Sequence, residues 1–421
     1  MKLPPINKIV LSSIAILFTG INSVSASGFR IPEVTVAGLG TSNALVANSK
    51  EEGALPYNPA AMAFHKDNTL VAGLINVDPT LKVTPEGSPA AESQGEDSFL
   101  VPNAYFMGSL SDDWNWGLSL NAPFGLETVW PDETFGGFNA TPISATATLD
   151  DLEPTQSKIE MLNLNPNFSY KINGNTSVAL GLDYYKVNEL VFSSAGVKVN
   201  GDGDGLGWNV AFLHINGNWS FGASYRSAVK TDLTGTVDAT NAGSSTSGAS
   251  ATLEFPDMTQ IGLRYQFTDA LALEFDIERT GWSSFDRLQI NHSSGFNSNN
   301  PITSVNNWET ANAYRLGATY DVSGQLQLRF GYTKDETPQS DEFFSARVPD
   351  ADRQLFSIGA AYDLGNWKID GGYMKVIFDN RTINSTKTFG TDTSEVNGSS
   401  LYNGKYESEV DLFGIGVSTS F

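Results

Sequence analysis

"TQIGLRYQFTDALALEFDIE", residues 259–278, is where the reading of this chain begins. Ile261, Leu263, Tyr265 and Phe267 alternate with Gln260, Gly262, Arg264 and Gln266. After the short polar turn Thr268-Asp269, Leu271, Leu273, Phe275 and Ile277 alternate with Ala272, Glu274, Asp276 and Glu278. Period-two alternation on both sides of a tight turn is the signature of a hairpin with one apolar and one polar face. The same comb recurs in "WSFGASYR" (219–226), "YRLGATY" (314–320), "LQLRFGY" (326–332) and "FSIGAAY" (356–362). A water-soluble sandwich buries such an apolar face, whereas a transmembrane barrel turns it toward lipid, and alternation alone fits both.

Connection lengths separate the two. Tight turns fall at 111–113, 173–175, 216–218, 268–269, 323–324 and 365–366. Between them lie long polar stretches at roughly 79–98, 125–156, 196–206, 230–250, 291–306, 335–352 and 380–404. Strict alternation of short and long connections gives about fourteen strands, an even number, as outer-membrane barrels with short periplasmic turns and long outer loops require. The expected fold class is all-β: an antiparallel transmembrane β-barrel over residues 67–421, closed by "SEVDLFGIGVSTSF", which ends on the aromatic Phe421.

Composition agrees. The 421 residues contain no cysteine, so no disulfide holds the fold, and 47 acidic against 25 basic residues give a net charge of −22. That charge argues against a nucleic-acid partner, which needs a positive surface. Lys2 and Lys8, the apolar run Ile9–Phe18 and the small residues ending at Ala26 have the build of a cleavable export signal over 1–26. No later apolar run is long enough for a helical span. With an even strand number the chain enters the barrel from the periplasm, so residues 27–66, Gly-rich, apolar and not strand-like, are expected to fold inside the lumen as a small N-terminal hatch. Within it, Asn58-Pro59 reads as a helix start, Asn58 capping and Pro59 at the first helical position.

Several motifs, in order and at matching spacing, carry a resemblance: "GF" (28–29), "AGLG" (37–40), "NPAAM" (58–62), "APFGLETVW" (122–130) followed by "FGG" (135–137), "LNLNPNFSYKIN" (162–173), "SYRSAVKTDLTG" (224–235), "TGWSSFDRL" (280–288) and "VPDADR" (348–353). Along the whole mature chain they resemble the FadL-type long-chain fatty acid and hydrocarbon transporters of the Gram-negative outer membrane. The resemblance implies a fourteen-stranded barrel closed by a hatch, with Asn58, Pro59 and Ala60 at its gate. It also implies sideways exit of a hydrophobic substrate through an inward kink in the third strand, at Ala122, Pro123, Phe124 and Gly125. The residues support that kink independently, because Pro123 donates no ladder hydrogen bond and Gly often marks a bulge. They fit a plain strand end as well.

Ligand contacts are expected in three places. Trp130, Phe135 and Phe138 of the 125–156 loop suit capture. Strand "FLVPNAYFMGSL" (99–110) is apolar on both faces, which offers Phe99, Tyr105 and Phe106 to a greasy ligand or to hatch packing. A carboxylate needs a cationic partner out of water, and the candidates are Lys186, Arg226, Lys230, Lys334, Arg347 and Arg353. Lys186 and Lys334 are the preferred pair, although the fifth strand's "YYKVNELV" departs from the Arg-rich sequence the resemblance implies there. Each of these bases also fits a rim ion pair. "NGDGDG" (200–205) resembles half of a calcium loop but lacks the closing Glu, so it reads as a polar outer loop and no metal or other cofactor is expected.

The expected activity is passive uptake, by a monomer surrounded by membrane lipid and lipopolysaccharide, of long-chain fatty acids or similar hydrophobic molecules. An aromatic-hydrocarbon channel and a surface adhesin or structural barrel are the alternatives; a general porin would need a polar inner wall throughout. His65, His214 and His292 stand near no nucleophile motif, which disfavours an enzyme.

Overall fold

The computed structural model describes residues 28–95, 98–143, 147–296, 301–388 and 397–421. Among these, fourteen staves form one antiparallel sheet that closes on itself. They are β1 (Thr69–Pro85), β2 (Phe99–Ser109), β3 (Trp114–Asn121 and Gly125–Val129), β4 (Pro154–Asn173), β5 (Thr176–Ser194), β6 (Lys198–Asn216), β7 (Trp219–Arg226 and Val229–Asp238), β8 (Thr246–Phe255 and Met258–Gln266), β9 (Leu271–Thr280 and Arg287–His292), β10 (Ile302–Val305 and Ala311–Asp321), β11 (Leu326–Asp335), β12 (Arg353–Asp363), β13 (Lys368–Phe378) and β14 (Gly404–Ser420). Closure comes from β1 against β14, in register from Thr69↔Ser420 to Pro85↔Gly404. Just below, Asn68 and Phe421 exchange both backbone hydrogen bonds, so a sheet edge that would otherwise be open is fully paired.

The 259–278 hairpin settles which way the combs face. Ile261, Leu263, Phe275 and Ile277 are 40–47 % exposed, while Arg264, Glu274 and Asp276 are at most 8 % exposed. A water-soluble sandwich has the opposite polarity; this wall is covered by lipid outside and by polar contacts inside. At the periplasmic end Trp114, Trp219, Phe267 and Trp367 stand outward, the aromatic belt expected where hydrocarbon meets headgroups.

Two expected outer loops are strands instead. Residues 196–206 mostly belong to β6, and 230–250 form the upper pieces of β7 and β8, paired through Leu233↔Gly203, Thr236↔Asn200 and Val237↔Ser247. "NGDGDG" is therefore sheet, not a calcium-type loop. Its glycines serve close approach, since a Cβ at Gly203 would lie 2.1 Å from the Asp232 carbonyl oxygen. Above the bilayer the outward face of a strand meets water and carries no apolar comb, while inward residues such as Leu233, Val237 and Leu253 stay buried.

Candidate functional site

Residues 28–66 fill the lumen. The segment holds one short helix, α1 (Val36–Gly40), capped by Thr35, and two 3-10 turns, Glu52–Ala54 and Pro59–Phe64. Asn58 caps the second turn through Oδ1, which accepts from the Ala60 amide (3.0 Å). Its Nδ2 donates to the Val46 carbonyl (2.7 Å) and, across to the wall, to the Phe212 carbonyl (3.0 Å). One side chain thus ties two parts of the plug to β6. The wall is shaped to receive this cargo: the combs carry Gly222, Gly262, Gly317, Gly331 and Gly359 on their inner faces, and a Cβ at Gly222 or Gly331 would lie 2.0 Å from the Val46 oxygen or 2.3 Å from the Thr41 carbonyl carbon.

The inward polar residues anchor the plug. Asp276 and Glu274 accept the Val46 (3.1 Å) and Ala47 (2.6 Å) amides. Arg30 pairs with Glu278 at 2.6 Å, and Glu278 in turn holds Arg315 at 3.2 Å. At the periplasmic end Glu51 bridges Arg329 (2.8 Å) and Lys368 (3.0 Å). Burial raises the Glu51 carboxyl, but the two cations outweigh burial and hold it below the ordinary glutamate range.

The third stave is interrupted between Asn121 and Gly125. After Asn121 the chain leaves β2, whose last pair with it is Ala104↔Leu120, and Gly125–Val129 pairs with β4 alone. Phe99–Asn103 of β2 is then bonded only to β1. Ala122 and Phe124 are fully buried within the lumen. The edge freed by the break is met by the plug's first residues: Ile31 N–H donates to the Pro123 carbonyl (2.9 Å), Gly125 N–H donates to the Phe29 carbonyl (2.8 Å), and Arg30 bridges to Phe124. Residues 29–31 act as a minute replacement strand.

Above this arm lies an aromatic chamber. Breaks in β8 and β9, and the bend before Ala311 in β10, carry Phe255, Trp282, Phe285 and Trp308 inward. The Phe29 ring sits among them, with centroids at 4.5 Å (Trp282), 5.4 Å (Phe285), 5.7 Å (Trp308), 6.1 Å (Phe124) and 6.2 Å (Phe255). A cavity of about 50 Å³ remains, bounded by Phe29, Leu126, Ile159, Leu253, Trp308 and Arg347. Arg347 is the one arginine among the described residues with no carboxylate partner. Its Nη1 donates to the Ser193 carbonyl (2.6 Å) and the Ser157 hydroxyl (3.3 Å), its guanidinium lies 3.8 Å from the Phe192 ring centroid, and its Nε has no partner. Burial lowers its pKa to about 10. Below the arm the lining turns polar, with Asn121, Asn163, Tyr185 and Arg226.

Against this geometry the sequence-derived residues divide. Asn58, Pro59 and Ala60 join plug to wall, and Ala122 to Gly125 form the break. Phe99 and Tyr105 face inward, Tyr105 donating its hydroxyl to the Val34 carbonyl of the plug. Phe106 faces the other way and stacks on Trp116 at 4.9 Å on the outer wall, a consequence of strand alternation. Lys186 is likewise outside, paired with Asp202 at 3.1 Å, and Lys334 is exposed on the outer face. Neither reaches the lumen. Trp130, Phe135 and Phe138 are at most 5 % exposed and pack with Phe344, Tyr402 and Tyr406 as the core of the outer loops, not as an open capture surface. Arg226 is committed to Asp183, and Arg353 to Asp335. Sequence reading passed over Phe29, Phe255, Trp282, Phe285 and Trp308 as lumen residues. The available signal was a bulky aromatic beside Pro or Gly at a strand interruption, as in "EFPD" and "TGWSSF".

An inside-out barrel with a plugged lumen, an apolar chamber and a broken third stave defines an outer-membrane channel for hydrophobic compounds. The chain belongs to the family described as outer membrane protein transport protein (OMPP1/FadL/TodX), whose profile matches residues 17–198 and 189–421. It is 28 % identical over 377 residues to the 47 kDa outer membrane protein of Pasteurella multocida (strain Pm70), covering 83 % of this chain and 87 % of the relative. Identity to the long-chain fatty acid transport protein of Escherichia coli (strain K12) is 25 % over 394 residues, with 80 % and 84 % covered. Among solved structures, a Pseudomonas aeruginosa FadL homologue superposes with a TM-score of 0.77 at 20 % identity, over 94 % of this chain and 100 % of that one. The Ralstonia pickettii toluene transporter TbuX gives 0.66 at 17 % identity, over 92 % and 99 %. Members of the family are transporters, not enzymes.

Proposed function

We propose that the protein takes up long-chain fatty acids, by passive diffusion into the aromatic chamber and sideways exit at the break in β3. The observation that carries the fatty acid reading is Arg347. A buried guanidinium normally finds a carboxylate, because an unpaired buried charge costs several kcal/mol; this one stands on the wall of an apolar cavity with its Nε free. A ligand with an apolar tail and a carboxylate head supplies what both lack. Relatives and structural neighbours named for fatty acids and for toluene are similar to this chain, and a neutral aromatic leaves the guanidinium unanswered.

Passage requires the chamber to grow, since about 50 Å³ lies well below the roughly 300 Å³ at which ligand pockets begin. Phe29 is the piece whose withdrawal enlarges it. That same withdrawal uncovers the β3 edge, so filling the chamber and opening the wall are one movement. The tail then leaves between β2 and β3 into the bilayer, from a channel that works as a monomer with lipid and lipopolysaccharide around it.

The test is uptake of labelled oleate and labelled toluene by cells lacking their own transporters and carrying wild type or Arg347→Gln. Loss of one charge-assisted contact, about 1.5–3 kcal/mol, lowers oleate affinity roughly ten- to a hundredfold and leaves toluene entry unchanged. Equal loss of both solutes, or of neither, overturns the fatty acid reading.

A further inference from the structure

The break in β3 has a polar rung directly beneath it. One step past the Ala104↔Leu120 pair, Asn103 of β2 comes level with Asn121 of β3; Asn121 is paired with Asn163 of β4, and Asn163 with Tyr185 of β5. All four side chains stand on the lumen side and are at most 3 % exposed. Each carries a buried polar atom with no partner: both amide atoms of Asn103, Oδ1 of Asn121, Oδ1 of Asn163 and the Tyr185 hydroxyl. Asn163 donates Nδ2 to Asp183 (2.9 Å), which fixes its oxygen as the unanswered atom. A dry polar atom without a hydrogen bond is costly, and here the cost is repeated across four adjacent staves.

The balance of donors and acceptors says what answers them. Asn121, Asn163 and Tyr185 line a cavity of about 30 Å³ below the arm, which has room for a water or two. The two amide oxygens need donors, and the phenol needs an acceptor. One water is both. A carboxylate only accepts and a hydrocarbon does neither, while Arg30 and Arg226 on the same cavity repel a metal ion. Tyr185 stands at the boundary of the chamber: its ring lies 6.1 Å from Phe124 and 5.6 Å from Phe255, and its hydroxyl belongs to the polar row.

We propose that this row binds water and forms a wet sill on which the apolar path through the lumen ends. An apolar tail moving below the break has to displace the waters and cannot reproduce their hydrogen bonds. The tail therefore stops at the height of Phe124 and turns toward the gap between β2 and β3. The sill acts alike on neutral hydrocarbons and on fatty acids, so it uses no part of the Arg347 argument. It does rest on the side exit proposed above, because a barrier to descent directs a solute only if the wall opens beside it.

The experiment uses the full protein, purified from membranes and held in nanodiscs. A brief X-ray pulse converts bound water into hydroxyl radicals that hydroxylate the side chains next to it, buried ones included. Tyr406 is the control: it is equally buried, and its hydroxyl is spent on the Tyr402 carbonyl. Tyr185 should be hydroxylated roughly tenfold faster than Tyr406, since only Tyr185 adjoins a water site; equal rates overturn the proposal. Asn121→Leu combined with Asn163→Leu should bring Tyr185 down to the Tyr406 rate, and a label that persists in a folded double variant overturns it too. A neutral alkyl diazirine, photolysed in the wild-type protein, then maps how far an apolar chain descends. Adducts should form at Phe124, Leu126 and Ile159 but not at Tyr57, which lines the cavity below. Wild-type adducts at Tyr57 remove the sill as a barrier whether or not the variant folds. Neither reading involves exit from the barrel, so a failure of lateral exit in uptake is separable from a failure of the sill; absence of chamber adducts overturns the chamber reading and this inference with it.

Discussion

Phe29→Ala tests whether one ring holds the gate. Phe29 is fully buried and its ring meets five aromatic side chains at centroid distances of 4.5–6.2 Å. Truncating such a ring removes about 3–5 kcal/mol of packing. What still fastens the arm is the Arg30–Glu278 pair and two backbone hydrogen bonds to the β3 break, the latter worth about 0.5–1.5 kcal/mol each. The ring therefore outweighs the two backbone bonds together, and its loss raises the released population of the arm by roughly two to three and a half orders of magnitude. Native-state hydrogen exchange reads this directly, because the amides of Ile31 and Gly125 are the two donors that tie arm to break. Both should lose protection together and by that factor, while amides in the β1–β14 closure keep theirs. Protection at Ile31 and Gly125 within a few-fold of wild type would show that the arm is fastened by something other than the chamber, and the coupled opening proposed above would fall with it.

Two further predictions bear on the plug and the exit. Glu51 has its carboxyl held below 4.5 by Arg329 and Lys368, so its contribution is present in full above that value and lost only as pH falls through the lowered one. Proteolysis of the 50–55 segment should stay slow from neutrality down to the ordinary glutamate range and rise below it; loosening already at mildly acid pH would contradict this electrostatic account. Replacing Pro123 and Gly125 together by threonine, which favours strand geometry and in place of Pro restores a ladder donor, should draw β3 back alongside β2 and lower oleate uptake severalfold. Uptake at the wild-type rate, with the break confirmed closed by exchange protection, removes lateral exit.

Much of the architecture was legible because it rests on local rules. Alternation in 259–278 and its sister combs, with tight turns and the terminal Phe421 at one end and long connections at the other, determines an even-stranded antiparallel barrel, since a period of two and a tight turn leave the backbone few options. Asn58-Pro59 and Pro123 with Gly125 were equally readable: capping and a missing ladder donor are properties of those residues wherever they lie. The limits of the strands above the bilayer were not, because Asn200–Gly205 and the upper pieces of β7 and β8 have a polar outward face, and their apolar residues, such as Leu233, Val237 and Leu253, face inward.

The binding chamber was decided by tertiary structure alone. Whether Lys186, Lys334, Arg226 or Arg347 is the base available to a carboxylate depends on which wall each faces and which acid it meets: Asp202 on the adjacent stave for Lys186, Asp183 on β5 for Arg226 of β7, and none among the described residues for Arg347. Phe29 gathers Phe124, Phe255, Trp282, Phe285 and Trp308 from four separate parts of the chain. Pattern along a strand states which side chains share a face; only closure of the sheet around residues 28–66 turns that face into a lumen and brings distant side chains within contact of one another.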